Sequence, residues 1–432
     1  MITRVQIQGY KSLRDVELWL HPMTVFIGPN GAGKSNLFDA LGLLGRAVTS
    51  PTLGDAFEGH RGAPLEAFSY GDRGLEELMD RRVVEFTIEV DVELSRELSD
   101  SVEQRIREMR KGLPEGGDSS EPSRPRITES YLRYTLTIQI AGQSGFLRVL
   151  NERLVALTQN GEVDKKRKPF IEKVGDRLIL RLEGQSRPTQ YEVGLDYTLV
   201  STPLYPPHYP HLTAFREELS RWGFYYFDPA TMRAEVPLKE VDSLGVYGAD
   251  LAAFYNTLKA RNSTQFNAVA LALQNLLPNV QGLDVARTSE GLLRLQVLEG
   301  GARFSARLIS EGTLRVLGLL AITSPQTRIM VVGYEEPENG VHPRRLQMIA
   351  ELLKNAADSG KQILINTHSP ELPNYFDPSS LIVCGKENGA TQFTPFQDFG
   401  RLFNQQGIDQ ALEEEEKGTP LTQRILRGDF SG

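Results

Sequence analysis

Apolar and polar residues alternate most regularly in the middle of the chain. From Val83 to Leu94 the sequence VVEFTIEVDVEL places apolar residues at every second position, with Glu85, Glu89, Asp91 and Glu93 between them. Period two with one acidic face predicts a half-exposed antiparallel strand. Leu132–Ile140 alternates in the same way, and residues 146–157, 177–183 and 190–200 also read as strands. The middle section is therefore expected to be a β-rich lobe and not a second α/β domain. Arg110–Arg126 is rich in Gly, Ser, Pro and charge, and reads as a mobile loop. The two ends of the chain differ from this. Residues 2–9 and 16–27 read as two strands, and Leu37–Val48 has helical spacing. Helices are predicted again at Leu212–Trp222, Ala249–Arg261 and Gln265–Leu277. Strands at 281–287 and 292–298 follow, with Glu299-Gly300-Gly301 as the turn into 302–308. Then come helix 312–323, strand 328–334, helix 343–358 and strands 361–366 and 380–385. This alternation completes a mostly parallel core sheet begun by the N-terminus. The predicted class is thus α/β: a mostly parallel core sheet, an antiparallel β-rich lobe and a helical subdomain. The expected division is 1–60 for the first part of the core, 61–210 for the lobe, 211–396 for the helical part and second half of the core, and 397–432 for a tail. Neither heptads nor internal repeats are seen.

Composition changes this picture little. The 432 residues have an ordinary globular composition and a formal net charge of −8. That charge argues against a uniformly basic nucleic-acid binder, but not against a local basic groove. The single cysteine, Cys384, lies in the apolar run Leu381-Ile382-Val383-Cys384 and reads as a buried, inert thiol. The sequence has no apolar run as long as a membrane span and no leader pattern, so a cytoplasmic, membrane-free protein is expected.

The candidate chemistry begins at residues 28–35, GPNGAGKS, directly after the apolar strand Thr24-Val25-Phe26-Ile27. This is G-x-x-x-x-G-K-[ST] between a strand and a helix. Its glycines let backbone N–H groups turn inward to phosphate oxygens, and the helix N-terminus adds partial positive charge. Asn30, Gly31, Ala32, Gly33, Lys34, Ser35 and Asn36 are the candidate nucleotide-binding residues, with Lys34 directed to the β- and γ-phosphates and Ser35 to Mg²⁺. A glycine-rich surface turn is the bland alternative. Three further motifs follow. Arg328 to Pro337, RIMVVGYEEP, is an apolar strand ending in two carboxylates. Glu335 is placed to hold Mg²⁺, usually through water, and Glu336 to polarise an attacking water. Alone, the pair fits two solvated acids equally well. Leu308 to Arg315, LISEGTLR, opens a helix in which Ser310 can cap and Gly312 leaves backbone N–H groups accessible. Alone, it is a capped helix start. Ile363 to Pro370, ILINTHSP, puts His368 at a strand tip, where it is either structural or a γ-phosphate sensor.

The order of these motifs resembles the ATP-binding-cassette (ABC) ATPases. The long separation of Lys34 from Glu335 does not resemble RecA-like or ordinary AAA+ motors. The Tyr10-Lys11-Ser12-Leu13 start, the SEGTLR signature at 310–315 and the EEPENGVHP block at 335–343 resemble the SMC/RecF-like branch. Within it they are similar to the ATPase half of overcoming-lysogenization-defect (OLD) nucleases and their stand-alone AAA-family relatives. The resemblance covers residues 1–50 and 245–385, and the lobe matches in character only.

That resemblance implies an ABC-type ATPase fold, with ATP and Mg²⁺ as cofactors and hydrolysis to ADP and phosphate. Two subunits would sandwich two ATPs, with Gly31, Gly33, Lys34 and Ser35 of one facing Ser310 and Gly312 of the other. Glu336 would activate water, His368 would steady the γ-phosphate, and the Glu338–His342 turn would contact the partner's site. Lys11 and Arg14 are either near the nucleotide or in a solvated turn. The signature departs from Ser-Gly-Gly-Gln, so no glutamine role falls on position 313, and no glutamine loop is evident between residues 60 and 145. The expected role is in DNA repair or anti-phage defence. A basic run, Lys165-Lys166-Arg167-Lys168, offers a DNA contact or a solvated hairpin tip. Residues 397–432, with Glu413-Glu414-Glu415-Glu416, are too short for a nuclease fold, so any nuclease or effector is expected to be a separate subunit, docked through this tail or the lobe. A higher assembly and a protein-sensing scaffold without nucleic-acid contact stay open, and a transporter motor is disfavoured.

Overall fold

The computed structural model describes residues 1–398 apart from 72, 112–126 and 184–186. In chain order the first part contains β1 (Ile2–Tyr10), β2 (Leu13–Trp19), β3 (Met23–Ile27), α1 (Lys34–Ala47), α2 (Leu53–Glu58), α3 (Leu75–Asp80), β4 (Val84–Glu93) and α4 (Arg96–Lys111). Then follow β5 (Tyr131–Ile140), β6 (Leu147–Ala156), β7 (Ile171–Val174), β8 (Arg177–Leu180), β9 (Thr189–Glu192) and α5 (Pro210–Leu219). The last part contains β10 (Trp222–Tyr225), α6 (Pro229–Met232), β11 (Val236–Pro237), α7 (Leu251–Arg261), α8 (Ser263–Leu276), β12 (Val280–Arg287), β13 (Leu292–Glu299), β14 (Ala302–Ser305) and α9 (Glu311–Thr323). It ends with β15 (Val331–Glu335), α10 (Leu346–Asp358), β16 (Gln362–Thr367), β17 (Leu381–Glu387) and β18 (Ala390–Pro395). Among the described residues no helix is long and apolar enough to cross a membrane.

Two compact units form. One comprises Met1–Leu20, Asn36–Trp222 and Lys386–Gln392. Its sheet has the order β2-β1-β4-β5-β6-β7-β8-β9 and is antiparallel at every described pairing. The alternation read in residues 83–94 sets its register. Val84, Phe86, Ile88, Val90 and Val92 are buried, and β4 pairs β5 from Val84↔Ile140 to Glu93↔Tyr131. The other face carries ion pairs. Arg4 meets Glu89 at 2.8 Å, and Arg133 grips Asp91 with two bonds of 2.6 Å.

The other unit comprises His21–Ser35, Gly223–Gly385 and, of the described residues, Phe393–Asp398. Its core sheet has the order β10-β15-β16-β3-β17-β18, and the pairs β15–β16, β16–β3 and β3–β17 are parallel. Continuous apolar runs suit strands covered on both faces, and all five residues of β15 and all six of β16 are buried. A smaller sheet, β11-β13-β12 with β14 on β13, lies beside α7 and α8 in the same core cluster.

Several expectations need correction. Residues 16–27 are not one strand: the chain breaks at Leu20-His21-Pro22, and β2 and β3 join different sheets. Pro22 lacks the N–H a continuous ladder needs. Within 190–200 only Thr189–Glu192 pairs as a strand. Helix α4 was not visible as a helix because most of its residues are polar, yet Leu98, Val102 and Ile106 are buried at a spacing of four. Its last turn takes in Arg110 and Lys111, and the rest of the expected Arg110–Arg126 loop lies outside the described residues. The tail with Glu413–Glu416 also lies outside them.

Candidate functional site

The phosphate loop leaves β3 at Ile27 and enters α1 at Lys34. Gly31 (φ 79°) and Gly33 (φ 105°) take conformations that side chains disfavour, which is how the loop reverses within so few residues. The first turn of α1 carries no acidic residue to offset its positive end. Lys34 is buried, and its Nζ donates to the carbonyls of Gly28 at 2.7 Å and Pro29 at 2.9 Å. Desolvation lowers its pKa, opposed by the carboxylates of Glu336, Glu335 and Glu338. Asn30 and Gly31 are exposed and Ala32 is buried. Asn36 is committed elsewhere, its amide donating to Ser12 Oγ at 2.7 Å. Lys11 ion-pairs with Asp39 at 2.7 Å, and Arg14 donates to the carbonyl of Asn388. Burial pushes the Cys384 thiol up to about 12, matching the inert thiol expected.

The ends of β15 and β16 meet this loop within the same unit. Ser35 Oγ donates to Glu335 Oε2 at 2.9 Å, joining two motifs that are far apart in sequence. Glu335 closes β15 and is 7 % exposed. Glu336 follows in a left-handed conformation (φ 54°), its N–H donating to the Asn366 carbonyl at 2.8 Å. Such a backbone is strained for a glutamate and is held by its surroundings. The Glu336 carboxylate accepts from Asn339 Nδ2. Its Oε1 lies 3.2 Å from His368 Nδ1, without the alignment of a hydrogen bond.

Glu338 has a use inside its own chain that the sequence does not reveal. Its Oε1 accepts from Thr367 Oγ1 at 2.7 Å, from the His368 N–H at 3.2 Å and from the Ser369 N–H at 3.1 Å. The turn after β15 thereby fixes the turn after β16 and presents the His368 ring beside Glu336. The local signal was a third acid two residues after the pair, but its partners come from another strand.

The signature helix makes a packing contact that the sequence does not reveal. Ser310 caps α9 as anticipated, accepting from the Thr313 N–H at 3.2 Å, and is itself exposed. Gly312 is buried. A Cβ there would stand 1.9 Å from the Gly340 carbonyl oxygen, so the missing side chain permits close packing on the 336–343 turn. In the basic run, Arg167 is occupied by Glu129 at 3.0 Å and Glu183 at 2.8 Å, while Lys165, Lys166 and Lys168 are exposed.

The site fits a hydrated cation and phosphate. Seven buried side-chain nitrogen or oxygen atoms among the described residues have no hydrogen-bond partner. Four of them are Glu338 Oε2, Asn366 Oδ1, Asn366 Nδ2 and His368 Nδ1, all at these strand ends. Buried polar atoms are normally paired, so this concentration marks where a polar ligand belongs. Among the described residues no group of three or more His, Cys, Asp or Glu could hold a metal. Ser35 and Glu335 suit Mg²⁺, which keeps several waters and takes few protein ligands beside phosphate.

Residues 1–95 match the family described as "AAA ATPase domain", and residues 192–373 match "AAA domain, putative AbiEii toxin, Type IV TA system". A stretch of 44 residues is 41 % identical to the OLD nuclease of Thermus scotoductus (strain ATCC 700910 / SA-01), covering 10 % of this chain and 8 % of that protein. The fold is similar to an Smc head bound to the C-winged helix domain of ScpA (TM-score 0.52, 11 % identity, covering 91 % of this chain and 97 % of that one). It is also similar to the Smc head domain with an extended coiled coil bound to the C-terminal domain of ScpA derived from Pyrococcus furiosus (TM-score 0.50, 11 % identity, 93 % and 98 % covered).

Proposed function

We propose that this chain, an SMC/OLD-like ABC-type ATPase in motif order and fold, binds Mg-ATP between two copies of itself and hydrolyses it to ADP and phosphate. The observation that carries this reading is the Ser35–Glu335 bond, which ties the phosphate loop to the double-acid strand end beside four unpartnered polar atoms. Gly31, Gly33 and Lys34 would bind the phosphates, with the Lys34 ammonium exchanging its loop carbonyls for phosphate oxygens. Ser35 and Glu335 would hold Mg²⁺, which when bound neutralises charge on the phosphates. Glu336 would take a proton from the attacking water, and His368, steadied through Glu338, would hold the γ-phosphate side of the site. Exposed Ser310 on the α9 cap is available to a second copy, while buried Gly312 supports the turn behind it.

We propose that the work this cycle drives lies in DNA repair or anti-phage defence, through a separate nuclease or effector subunit. The short OLD-like match and the SMC-like fold support that setting; the chain spans 8 % of the OLD nuclease, so its nuclease activity is not carried over. The test is light scattering on Glu336→Gln with and without Mg-ATP and short duplex DNA. A Mg-ATP-dependent dimer is expected. A dimer that also retains DNA supports the DNA-linked role, one that ignores DNA shifts the role to protein sensing, and no dimer sinks the ATP-sandwich reading.

A further inference from the structure

Among the described residues, Asn366 is the one buried side chain with two polar atoms lacking a hydrogen-bond partner. It is the penultimate residue of β16 and 2 % exposed. Its backbone carbonyl accepts from the Glu336 N–H, while neither side-chain atom has a partner among the described residues. The other buried amide of the strand, Gln362, donates to the His21 carbonyl at 3.2 Å. Asn366 is in register with Glu335 on one side and Phe26 on the other. Residues in register across a parallel ladder project from the same face. The Asn366 amide therefore rises on the face that carries the Glu335 carboxylate and its bond to Ser35.

We infer that Asn366 is a positioning residue for the water shell of the bound Mg²⁺, a role that rests on the nucleotide-site reading above. An amide offers one acceptor and two donors. Oδ1 suits a metal-bound water, which donates, and Nδ2 suits a carboxylate oxygen. Magnesium keeps much of its water when bound, so the groups that orient those waters share in holding it. A leucine keeps the same branching at a somewhat larger volume, but would offer the waters nothing.

The experiment is an equilibrium titration of Mg²⁺ against ATP binding for the wild type, Asn366→Leu and Asn366→Asp, each repeated in EDTA. For Asn366→Leu the Mg²⁺ midpoint should rise about tenfold, the lower end of what outer-shell substitutions cost in metal affinity, with ATP affinity in EDTA unchanged. For Asn366→Asp the midpoint should fall, because a second carboxylate beside Glu335 attracts the cation. Thermal melting checks that each variant folds, and Asn366→Asp, close in shape, keeps the question answerable if the leucine variant does not. Unchanged midpoints in the folded variants, or equal losses with and without Mg²⁺, would overturn the assignment. A wild type that binds ATP with no response to Mg²⁺ would instead overturn the metal-site reading itself.

Discussion

A buried carboxylate and a buried imidazole of the antiparallel unit are treated in the opposite way to the buried polar groups at the strand ends of the other unit. In the antiparallel unit, Glu152 is completely buried and fully engaged. It accepts from the Leu199 N–H at 2.6 Å, the Val200 N–H at 3.1 Å and the Tyr134 hydroxyl at 3.0 Å. His211, also completely buried, accepts through Nε2 from the N–H groups of Thr128 and Glu129, both at 3.1 Å. Its proton therefore sits on Nδ1, facing Glu183 Oε2 at 2.5 Å. At the strand ends of the other unit, Asn366, His368 and Glu338 keep buried atoms without hydrogen-bond partners. These two groups of the antiparallel unit are completed by their own chain and specify a fold. Those at the strand ends are complete only with something the chain does not supply, and this is the physical difference between a structural network and a binding site.

The sharpest way to break the contrast is Glu336→Gln. Loss of a general base should lower ATP turnover by about 10²- to 10⁴-fold while nucleotide stays bound. Steady-state phosphate release measures it, and unchanged turnover would make the strand end structural like the lobe. The lobe makes its own prediction with pH. Burial raises the Glu152 carboxyl from 4.5 to about 7 in the folded protein. The unfolded chain then gives up this proton first, so stability falls as pH rises from about 4.5 to about 7, by about 3 kcal/mol, and the contribution is flat above. Urea midpoints over that range should show the decline, and Glu152→Gln should flatten it.

A smaller effect is expected of Gly312→Ala. A Cβ 1.9 Å from the Gly340 carbonyl forces the signature helix and the 336–343 turn apart. The cost should be about 1–3 kcal/mol in thermal melting, as for other overpacked sites, with ATP-dependent dimerisation weakened as well. The smallest is in the basic run. Replacing exposed Lys165, Lys166 and Lys168 with serine should change stability by no more than about 0.5 kcal/mol, whereas Arg167→Ser breaks two ion pairs and costs more. If the triple variant also leaves salt-dependent DNA binding unchanged, these lysines are a solvated loop and not a phosphate contact.

The sequence by itself determined what local chemistry can encode. The phosphate loop was legible because its glycines, lysine and serine act through backbone conformation over a few adjacent residues. The acids at the end of β15, the Ser310 cap and the alternation of β4 were legible because strand period and cap chemistry are short-range. Only the tertiary structure decided that residues 16–27 split between two sheets, since a strand's partners are chosen by total burial and not by its own pattern. It alone showed that Gly312 is a packing glycine, because the atom it makes room for belongs to Gly340. It alone brought Ser35 to Glu335 and Glu338 to His368, and set Asn366 in register with Glu335. Each of these pairs spans residues distant in the chain or on different strands, and no local propensity carries information about a neighbour that only the sheet supplies.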